Sequence, residues 1–156
     1  MLLLRSLTVA DAAELGQFLR SQPEGYLKFF DPFRFDLDTL ERLLTERRRD
    51  CWMGVWGSAT MIAFFMLRGF DEGYATPSYG VVVDAGSRGL GIGRLTVIAS
   101  KSMCRLMGVS RIMLKVHPSN RAARALYESE GFVETAIDTK NGNLIYHFEL
   151  VQPGRE

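Results

Sequence analysis

Hydrophobic and polar positions along the 156-residue chain follow two different periods, and the change of period predicts where strands and helices lie. Short apolar runs predict strands at 2–7, 51–56, 59–67, 79–84, 111–116, 132–138 and 144–150. Apolar residues that recur every three or four positions predict helices at 9–20, 36–48 and 92–107. A fourth helix is predicted to begin at Asn120 and end at Gly131.

The connections between these elements indicate the class of fold. Turns at Gly57-Ser58 and Asn141-Gly142 predict two hairpins, whereas strands 79–84 and 111–116 are joined through a helix and should be parallel. This mixture predicts one mixed sheet covered by helices. The apolar sets expected to face the core are Leu37, Leu40 and Leu43 or Leu44 in the second helix, and Ile92, Leu95, Ile98 or Ala99, Met103 and Leu106 in the third.

Composition and charge narrow the range of partners. The chain carries 19 basic and 18 acidic residues, for a net charge of +1, so neither a nucleic acid nor an anionic membrane is expected as a partner. Two cysteines and two histidines without metal-ligand spacing predict no disulfide framework and no metal site. The opening MLLLRS is too short an apolar run for a signal peptide or a membrane span, so we expect a cytoplasmic protein.

The segment SRGLGIG, from Ser87 to Gly93, is the main candidate for binding a ligand. Its three glycines allow a tight turn between a strand and a helix and a close approach of backbone to ligand. The first amides of the helix lack partners within it, so a phosphate or pyrophosphate is the expected ligand, with Arg88 and Arg94 as flanking cations. The segment lacks the Gly-Lys-Ser/Thr ending of a P-loop, and its glycine spacing is not that of a dinucleotide fingerprint. Considered alone, the segment fits a phosphate site or a plain tight turn.

A second feature is the stretch Tyr26 to Phe35, YLKFFDPFRF, which has five aromatic residues among ten. Such a stretch can pack into the core. It can also form the lip of a pocket, because large flat side chains often line small-molecule sites. The sequence leaves both interpretations open.

Two motifs resemble one known family. The run Arg88-Gly89-Leu90-Gly91-Ile92-Gly93 matches the Arg/Gln-x-x-Gly-x-Gly/Ala acetyl-coenzyme A loop of the GCN5-related N-acetyltransferases (GNAT). Downstream, Asn120, Ala123, Tyr127 and Gly131-Phe132 resemble the family's following segment, in which an Asn opens a helix and a Tyr lies seven residues later.

The resemblance extends over essentially the whole chain. The opening from Leu4-Arg5 to Asp11 is similar to the family's usual start, and segment 68–80 resembles one bacterial subgroup. The family implies a single domain, 1–156, of the α/β class (α+β in some schemes). Its sheet would be mixed and mostly antiparallel, with six to seven strands, a parallel central pair and about four flanking helices.

The resemblance also implies an activity, a cofactor and a set of residues. Acetyl-CoA would donate its acetyl group to a primary amine of a small molecule, by direct attack in a ternary complex. A backbone amide around Val81 to Val83 would polarise the thioester carbonyl, and Tyr127 would be the acid that protonates the thiolate. The alternative for Tyr127 is a core aromatic packed under Phe132. The implied cofactor-binding residues are Val81, Val82, Val83, Arg88, Gly89, Leu90, Gly91, Ile92, Gly93, Arg94, Asn120, Ala123 and Tyr127.

The general base and the acceptor are less defined. Asp71, Glu72 and Asp84 are the candidate bases, with Glu72 and Asp84 preferred; they would act directly or through water, although each can be a solvated loop charge. The candidate acceptor-binding residues are Phe29, Phe30, Phe33, Asp71, Glu72, Tyr74 and His117. They would suit a small amine with an apolar or ring-shaped body. An amino sugar, a polyamine, an amino acid and a protein N-terminus all stay open, as does the choice between monomer and homodimer.

Two alternative functions use the same scaffold. One is an O-acyltransferase or an enzyme that takes a longer acyl chain, because a phosphate-binding loop does not distinguish acceptors or acyl groups. The other is a module that binds acetyl-CoA without turnover. The presence of Tyr127, the proposed acid, favours an enzyme.

Overall fold

The computed structural model describes residues 1–151. Its elements, in chain order, are β1 (Leu2–Ser6), α1 (Ala12–Arg20), α2 (Leu37–Glu46), β2 (Cys51–Gly57), β3 (Thr60–Arg68), β4 (Ser78–Val83), α3 (Ile92–Leu106), β5 (Arg111–Val116), α4 (Arg121–Ser129), β6 (Val133–Ile137) and β7 (Leu144–Glu149). Short 3-10 turns at Val9–Asp11 and Ala85–Ser87 precede α1 and the glycine segment. Every element predicted from the sequence is present, with ends that differ by a few residues.

The seven strands form one sheet in the order β1-β2-β3-β4-β5-β7-β6. Strands β4 and β5 are parallel, whereas β1 and β2, β5 and β7, and β6 and β7 are antiparallel. This arrangement confirms the predicted fold class. The described residues form two compact units: residues 1–66 and 81–92 belong to the first, and residues 67–80 and 93–151 belong to the second.

In the first unit, helices begin where the sequence supplies capping groups. The Asp11 carboxylate accepts a hydrogen bond from the Thr8 N–H at 2.8 Å, and the Asp36 carboxylate accepts one from the Thr39 N–H at 3.1 Å. The core of this unit joins α1 and α2 to β2 and β3, and its buried residues are Leu7, Ala12, Leu15, Phe18, Leu19, Leu40, Leu44, Trp52, Trp56, Met61, Phe64, Met66 and Val82. Leu37 was expected to face this core but is 43% exposed, because it lies in the first turn of α2 beside the cap.

In the second unit, the face that α3 buries differs from the predicted one. Ile98 and Leu106 are 47% and 89% exposed, while the buried positions are Thr96, Val97, Ser100, Lys101 and Cys104. Polar groups can be buried when they are hydrogen-bonded. The Ser100 hydroxyl donates to the Thr96 carbonyl at 2.8 Å, and the Lys101 ammonium donates to the Glu130 carbonyl at 2.5 Å. These bonds let a polar face pack inward, which the apolar pattern alone does not predict.

None of the helices in residues 1–151 is long and apolar enough to cross a membrane. Within the same residues, no group of three or more His, Cys, Asp or Glu side chains could hold a metal ion.

Candidate active site

The glycine segment joins the carboxyl end of β4 to the start of α3, as the sequence predicted. Gly89 and Gly91 have φ angles of +78° and +79°. An L residue in this left-handed region costs about 1–2 kcal/mol, so these two positions require glycine. Gly93 differs from them, because it lies inside the first turn of α3.

The surface at these two glycines is open. A Cβ added at Gly89 or Gly91 would find no atom within 4 Å. Neither N–H group donates a hydrogen bond to residues 1–151. The first N–H groups of α3 follow directly, where the helix dipole is positive. This combination of unpaired amides, a positive helix end and room for a ligand fits a phosphate or pyrophosphate.

The two arginines that flank the segment have different surroundings. The guanidinium of Arg88 lies over the ring of Tyr26, 5.6 Å from its centroid, and the residue is exposed. The guanidinium of Arg94 forms an ion pair with Glu130 and also donates to the Ser129 hydroxyl at 3.1 Å. Arg88 therefore has its N–H donors available for an anion, whereas Arg94 already has a carboxylate partner. The role of Arg94 in cofactor binding stays a prediction.

Asp84 caps the short turn before the glycine segment. Its Oδ2 accepts hydrogen bonds from the Gly86 N–H at 3.1 Å and the Ser87 hydroxyl at 3.3 Å. Its Oδ1 accepts one from the Gln22 side chain at 3.1 Å. Both carboxylate oxygens thus stabilise the turn. The assignment of Asp84 as a general base stays a prediction, and Gln22 is a contributor that sequence reasoning missed.

The end of β4 is held by a second residue that sequence reasoning placed elsewhere. The Tyr26 hydroxyl donates to the Val83 carbonyl at 2.5 Å, and Val82 is buried in the core of the first unit. The parallel register of β4 with β5 contains the pairs Ser78–Met113 and Tyr79–Leu114. An oxyanion-binding amide from Val81 to Val83 stays a prediction.

Tyr127 lies in α4, which opens at Asn120 as expected. The Asn120 side chain accepts from the Ala123 N–H at 3.4 Å and so forms the N-cap. The Tyr127 ring is 7% exposed and packs against Tyr79 and Phe132, with ring centroids 6.0 Å away in both cases. Burial raises the pKa of Tyr127 to about 12. The ring is held by these aromatic contacts. Its hydroxyl has no hydrogen-bond partner among residues 1–151, so its proton is available for donation.

A buried hydrogen-bond chain in the second unit links β4 to the first turn of α3. The Thr96 hydroxyl donates to the Gly93 carbonyl at 2.8 Å, and therefore accepts from the Tyr79 hydroxyl, also at 2.8 Å. Burial raises the pKa of Tyr79 well above its usual value. This pair could not be predicted from the sequence, because both residues lie in segments with the patterns of an ordinary strand and helix.

A charge cluster fixes the end of α4. The Lys101 ammonium lies 3.1 Å from the Glu130 carboxylate and 4.1 Å from the centroid of the Phe148 ring, and Arg94 is the second partner of Glu130. Burial raises the pKa of Glu130, but the hydrogen bonds from Lys101 and Arg94 outweigh it and leave that pKa below its usual value. The cluster anchors α4 three residues beyond Tyr127. Sequence reasoning missed it, because an isolated lysine in a helix is normally solvated.

The aromatic stretch both packs on the core and lines a cavity. The rings of Phe30, Phe33 and Phe35 have centroids 6.0–6.3 Å apart, and that of Phe33 is 5.1 Å from the ring of Trp52. Phe29 is 42% exposed beneath the Lys28 ammonium. A solvent-open cavity of about 570 Å³ is lined by Arg20, Leu27, Lys28, Phe30, Asp31, Phe33, Arg34, Phe35 and Asp36. Both interpretations of the stretch therefore describe part of it.

The remaining candidate residues lie in the second unit. Asp71, Glu72 and Tyr74 are exposed in the connection between β3 and β4, with Tyr74 63% exposed. His117 follows β5, and its Nδ1 accepts from the Ser119 N–H at 3.1 Å. A neutral His117 ring therefore carries its proton on Nε2. Roles for these residues in catalysis or acceptor binding stay predictions.

A strand, a glycine turn and a helix in succession, next to a parallel strand pair, are typical of α/β proteins that bind a ligand at the carboxyl ends of their strands. The sequence profile described as "Acetyltransferase (GNAT) family" matches residues 15–132. The chain belongs to this family, which confirms the resemblance found in the sequence. The description of this family agrees with the expected enzyme class, an acyltransferase that uses acetyl-CoA.

Solved structures share the fold at low sequence identity. The ribosomal-protein-S18-alanine N-acetyltransferase from Escherichia coli superimposes with a TM-score of 0.76 and 20% identity, covering 100% of this chain and 98% of that one. The PaiA N-acetyltransferase from Thermoplasma acidophilum, solved in complex with coenzyme A, gives a TM-score of 0.77 and 15% identity, covering 96% and 99%. At these identities the likeness concerns the fold alone.

The curated relatives match a shorter stretch. The mycothiol acetyltransferase of Beutenbergia cavernae is 39% identical over 64 residues, which are 41% of this chain and 22% of that protein. The mycothiol acetyltransferase of Thermomonospora curvata is 43% identical over 60 residues, or 38% and 20%. The chain thus spans about a fifth of the length of the curated relatives it matches.

The two adjoining tyrosines should respond differently to loss of the hydroxyl. Tyr127→Phe should leave the melting temperature nearly unchanged, because its hydroxyl has no partner within the described residues. Tyr79→Phe removes a buried hydrogen bond to Thr96 and should cost about 0.5–1.5 kcal/mol, a fall in Tm of roughly 2–4 °C per kcal/mol. Thermal unfolding followed by circular dichroism measures both. Equal losses would contradict this difference between the two hydroxyls.

Proposed function

We propose that the protein transfers the acetyl group of acetyl-CoA to a primary amine of a small-molecule acceptor, by direct attack in a ternary complex. The observation that carries this proposal is the turn from β4 to α3. Its left-handed glycines, Gly89 and Gly91, leave an open surface of unpaired amides at a helix start, in a chain that belongs to the GNAT family. A cytoplasmic location and a monomeric or homodimeric state stay predictions.

The residues of this turn would hold the phosphates of the cofactor. The amides from Gly89 to Gly93 would bind the pyrophosphate, with Arg88 as its guanidinium partner. Val81 to Val83 of β4, together with Asn120 and Ala123 at the start of α4, would complete the cofactor-binding set. When bound, acetyl-CoA supplies the acetyl group as an activated thioester.

Tyr127 is the residue proposed to assist the departing sulfur. Because burial raises its pKa to about 12, the hydroxyl keeps its proton throughout the physiological range. A thiol has an ordinary pKa of about 8.5, so complete proton transfer to a thiolate would be uphill by about 3.5 units, or roughly 5 kcal/mol. We therefore assign the hydroxyl the role of a hydrogen-bond donor that stabilises charge as it develops on the sulfur.

The base is assigned to Glu72 in preference to Asp84. Both oxygens of Asp84 already accept hydrogen bonds from the turn and from Gln22, whereas Glu72 is exposed. An exposed carboxylate can remove a proton from the amine directly or through a water molecule.

The acceptor is proposed to be a small amine with an apolar or ring-shaped body. The cavity beside Phe30 and Phe33 offers an aromatic floor with charges of both signs at its rim, including Lys28 and Asp31. The name of the curated relatives, mycothiol acetyltransferase, supports acetyl transfer as the reaction class. Their match covers about two fifths of this chain, so that name does not define the acceptor here.

Loss of the glycine surface should abolish coenzyme A binding. In Gly91→Glu, a carboxylate would enter a site that favours phosphate, and the Cβ would occupy the open surface. Gly108→Glu is the matched control, because Gly108 has a φ of +72° and equally open surroundings beyond the end of α3. Calorimetry with coenzyme A should detect no binding to the first variant and normal binding to the second. Equal affinities of the two variants would exclude the phosphate-loop assignment.

The Tyr127 hydroxyl should affect turnover rather than cofactor binding. Thiol release from acetyl-CoA in the presence of pooled amines tests the proposed reaction. In the same assay, Tyr127→Phe should lower kcat by about 10²–10³, the usual cost of losing one positioned donor. Its affinity for acetyl-CoA should stay near the wild-type value, because the ring is retained.

The pH profile and a control variant refine this test. A pKa of about 12 places any alkaline limb due to Tyr127 above the working range, so wild type and variant should have profiles of the same shape between about pH 6 and 10. Tyr146→Phe, which removes a hydroxyl bonded to Glu128, should keep the wild-type kcat. Coenzyme A binding without thiol release from any amine would favour the non-catalytic module.

The cavity assignment predicts a selective effect on the acceptor. Phe30→Leu and Phe33→Leu should raise the KM for the acceptor more than the KM for acetyl-CoA, because both rings line the cavity. Phe64→Leu is the control, since Phe64 contacts Trp52 in the core but does not line the cavity. Steady-state kinetics with both substrates varied give the two constants. An unchanged acceptor KM in both cavity variants would make the segment a packing element only.

A further inference from the structure

Two residues from the segment after α1 form hydrogen bonds to the turn that precedes the glycine loop. They contact its backbone and the Asp84 carboxylate that caps it. The Tyr26 hydroxyl donates to the carbonyl of Val83, the last residue of β4, at 2.5 Å. The Gln22 amide donates to Asp84 Oδ1 at 3.1 Å, and its oxygen accepts from the Ala85 N–H at 3.0 Å. All of these residues lie in the first unit. The segment therefore contacts three consecutive residues, at the point where the strand gives way to the loop.

The partners of Gln22 fix the orientation of its amide. A carboxylate oxygen can only accept a hydrogen bond, and a backbone N–H can only donate one. A side chain that lies between Asp84 and the Ala85 N–H must therefore present its NH₂ to the first and its oxygen to the second. Gln22 thereby holds the Asp84 carboxylate in the position from which it caps Gly86 and Ser87.

Tyr26 also supports the available cation of the loop. Arg88 lies over the Tyr26 ring, and it forms no hydrogen bond or ion pair with residues 1–151. A ring face attracts a guanidinium without occupying its N–H donors, so Arg88 keeps its donors for an anion. Burial raises the pKa of Tyr26, so its hydroxyl stays protonated and donates to Val83.

From these contacts we propose that Tyr26 and Gln22 are positioning residues for the coenzyme A phosphates. Tyr26 orients Arg88 with its ring and holds the end of β4 with its hydroxyl. Gln22 fixes the Asp84 cap, and with it the turn that leads into the glycines. This inference rests on the proposed function, because it assigns these residues to the same phosphate site.

The test is calorimetry of the full chain with coenzyme A. Tyr26→Phe keeps the ring under Arg88 but loses the bond to Val83, and it should weaken binding by about threefold. Tyr26→Leu loses both contacts and should weaken binding by about tenfold. Gln22→Met keeps a side chain of similar size but removes the amide's bonds to Asp84 and Ala85, together with its bond to the Phe18 carbonyl, and should also cost about tenfold. The partial recovery in Tyr26→Phe separates the ring from the hydroxyl.

A double-mutant cycle distinguishes positioning from general loss of structure. If Tyr26 acts through Arg88, then Tyr26→Leu should cost clearly less in an Arg88→Ala background than in the wild type. A merely structural role would give additive losses. Thr39→Val, which removes a hydroxyl bond to Asp36 in the same unit, should lower stability without changing coenzyme A affinity.

The outcomes separate this inference from the proposed function. Reduced affinity in the Tyr26 and Gln22 variants, with coupling to Arg88, would support it. Wild-type affinity in these variants, or additive losses with Arg88→Ala, would overturn the positioning role while leaving the proposed function intact. Absence of coenzyme A binding by the wild type would overturn both.

Discussion

The reversal from β4 into α3 is the constraint on which the rest of the molecule depends. Within a few residues the chain must leave an extended strand and start a helix whose first amides stay unpaired. The Asp84 carboxylate accepts a hydrogen bond from an N–H group within the turn. The left-handed glycines Gly89 and Gly91 then complete the reversal, at positions where other residues would be strained. If the amides of the glycines and of the first turn of α3 were hydrogen-bonded to the chain itself, none would be left to bind a phosphate.

In the second unit, buried polar contacts determine how α3 and α4 are held. Thr96 ties the first turn of α3 to Tyr79 of β4, and Lys101 ties the middle of α3 to Glu130 beyond the end of α4. Buried groups of this kind are costly when unpaired, so each contact favours one arrangement over its alternatives. Tyr127 lies in α4, three residues before Glu130, and packs directly on the ring of Tyr79. Its position is therefore set by polar contacts made elsewhere on the same helices.

The features that could be predicted from the sequence are those governed by local rules. The element order follows from periodicity, the caps at Asp36 and Asn120 from side-chain chemistry, and the turn at Gly89 and Gly91 from backbone sterics. Together with the two family motifs, these rules were enough to define the fold class and to place the glycine turn that is proposed to bind the cofactor.

The features that could not be predicted depend on partners distant in sequence. The prediction of which face of α3 points inward was wrong, because Ser100 and Lys101 are buried with hydrogen bonds that the spacing of apolar residues does not indicate. The insertion of β7 between β5 and β6 is a choice of strand pairing that turn residues alone do not specify. Gln22 and Tyr26 were not connected to the loop, because 57 and more residues separate them from Val83 and Asp84.

The charge distribution around the loop shows how a nearly neutral protein can present an anion site. The chain has a net charge of only +1, so its overall field offers little attraction. The charge of Arg94 is paired with that of Glu130. What is left is the guanidinium of Arg88, the partial positive charge of about half a unit at the start of α3, and the unpaired amides of the glycines. These act only at short range and only in one geometry, so the shape of the turn decides which anion is bound. Selectivity for a phosphate then depends on the residues that hold Arg88 and the turn in place, and in this molecule those contacts come from Tyr26 and Gln22.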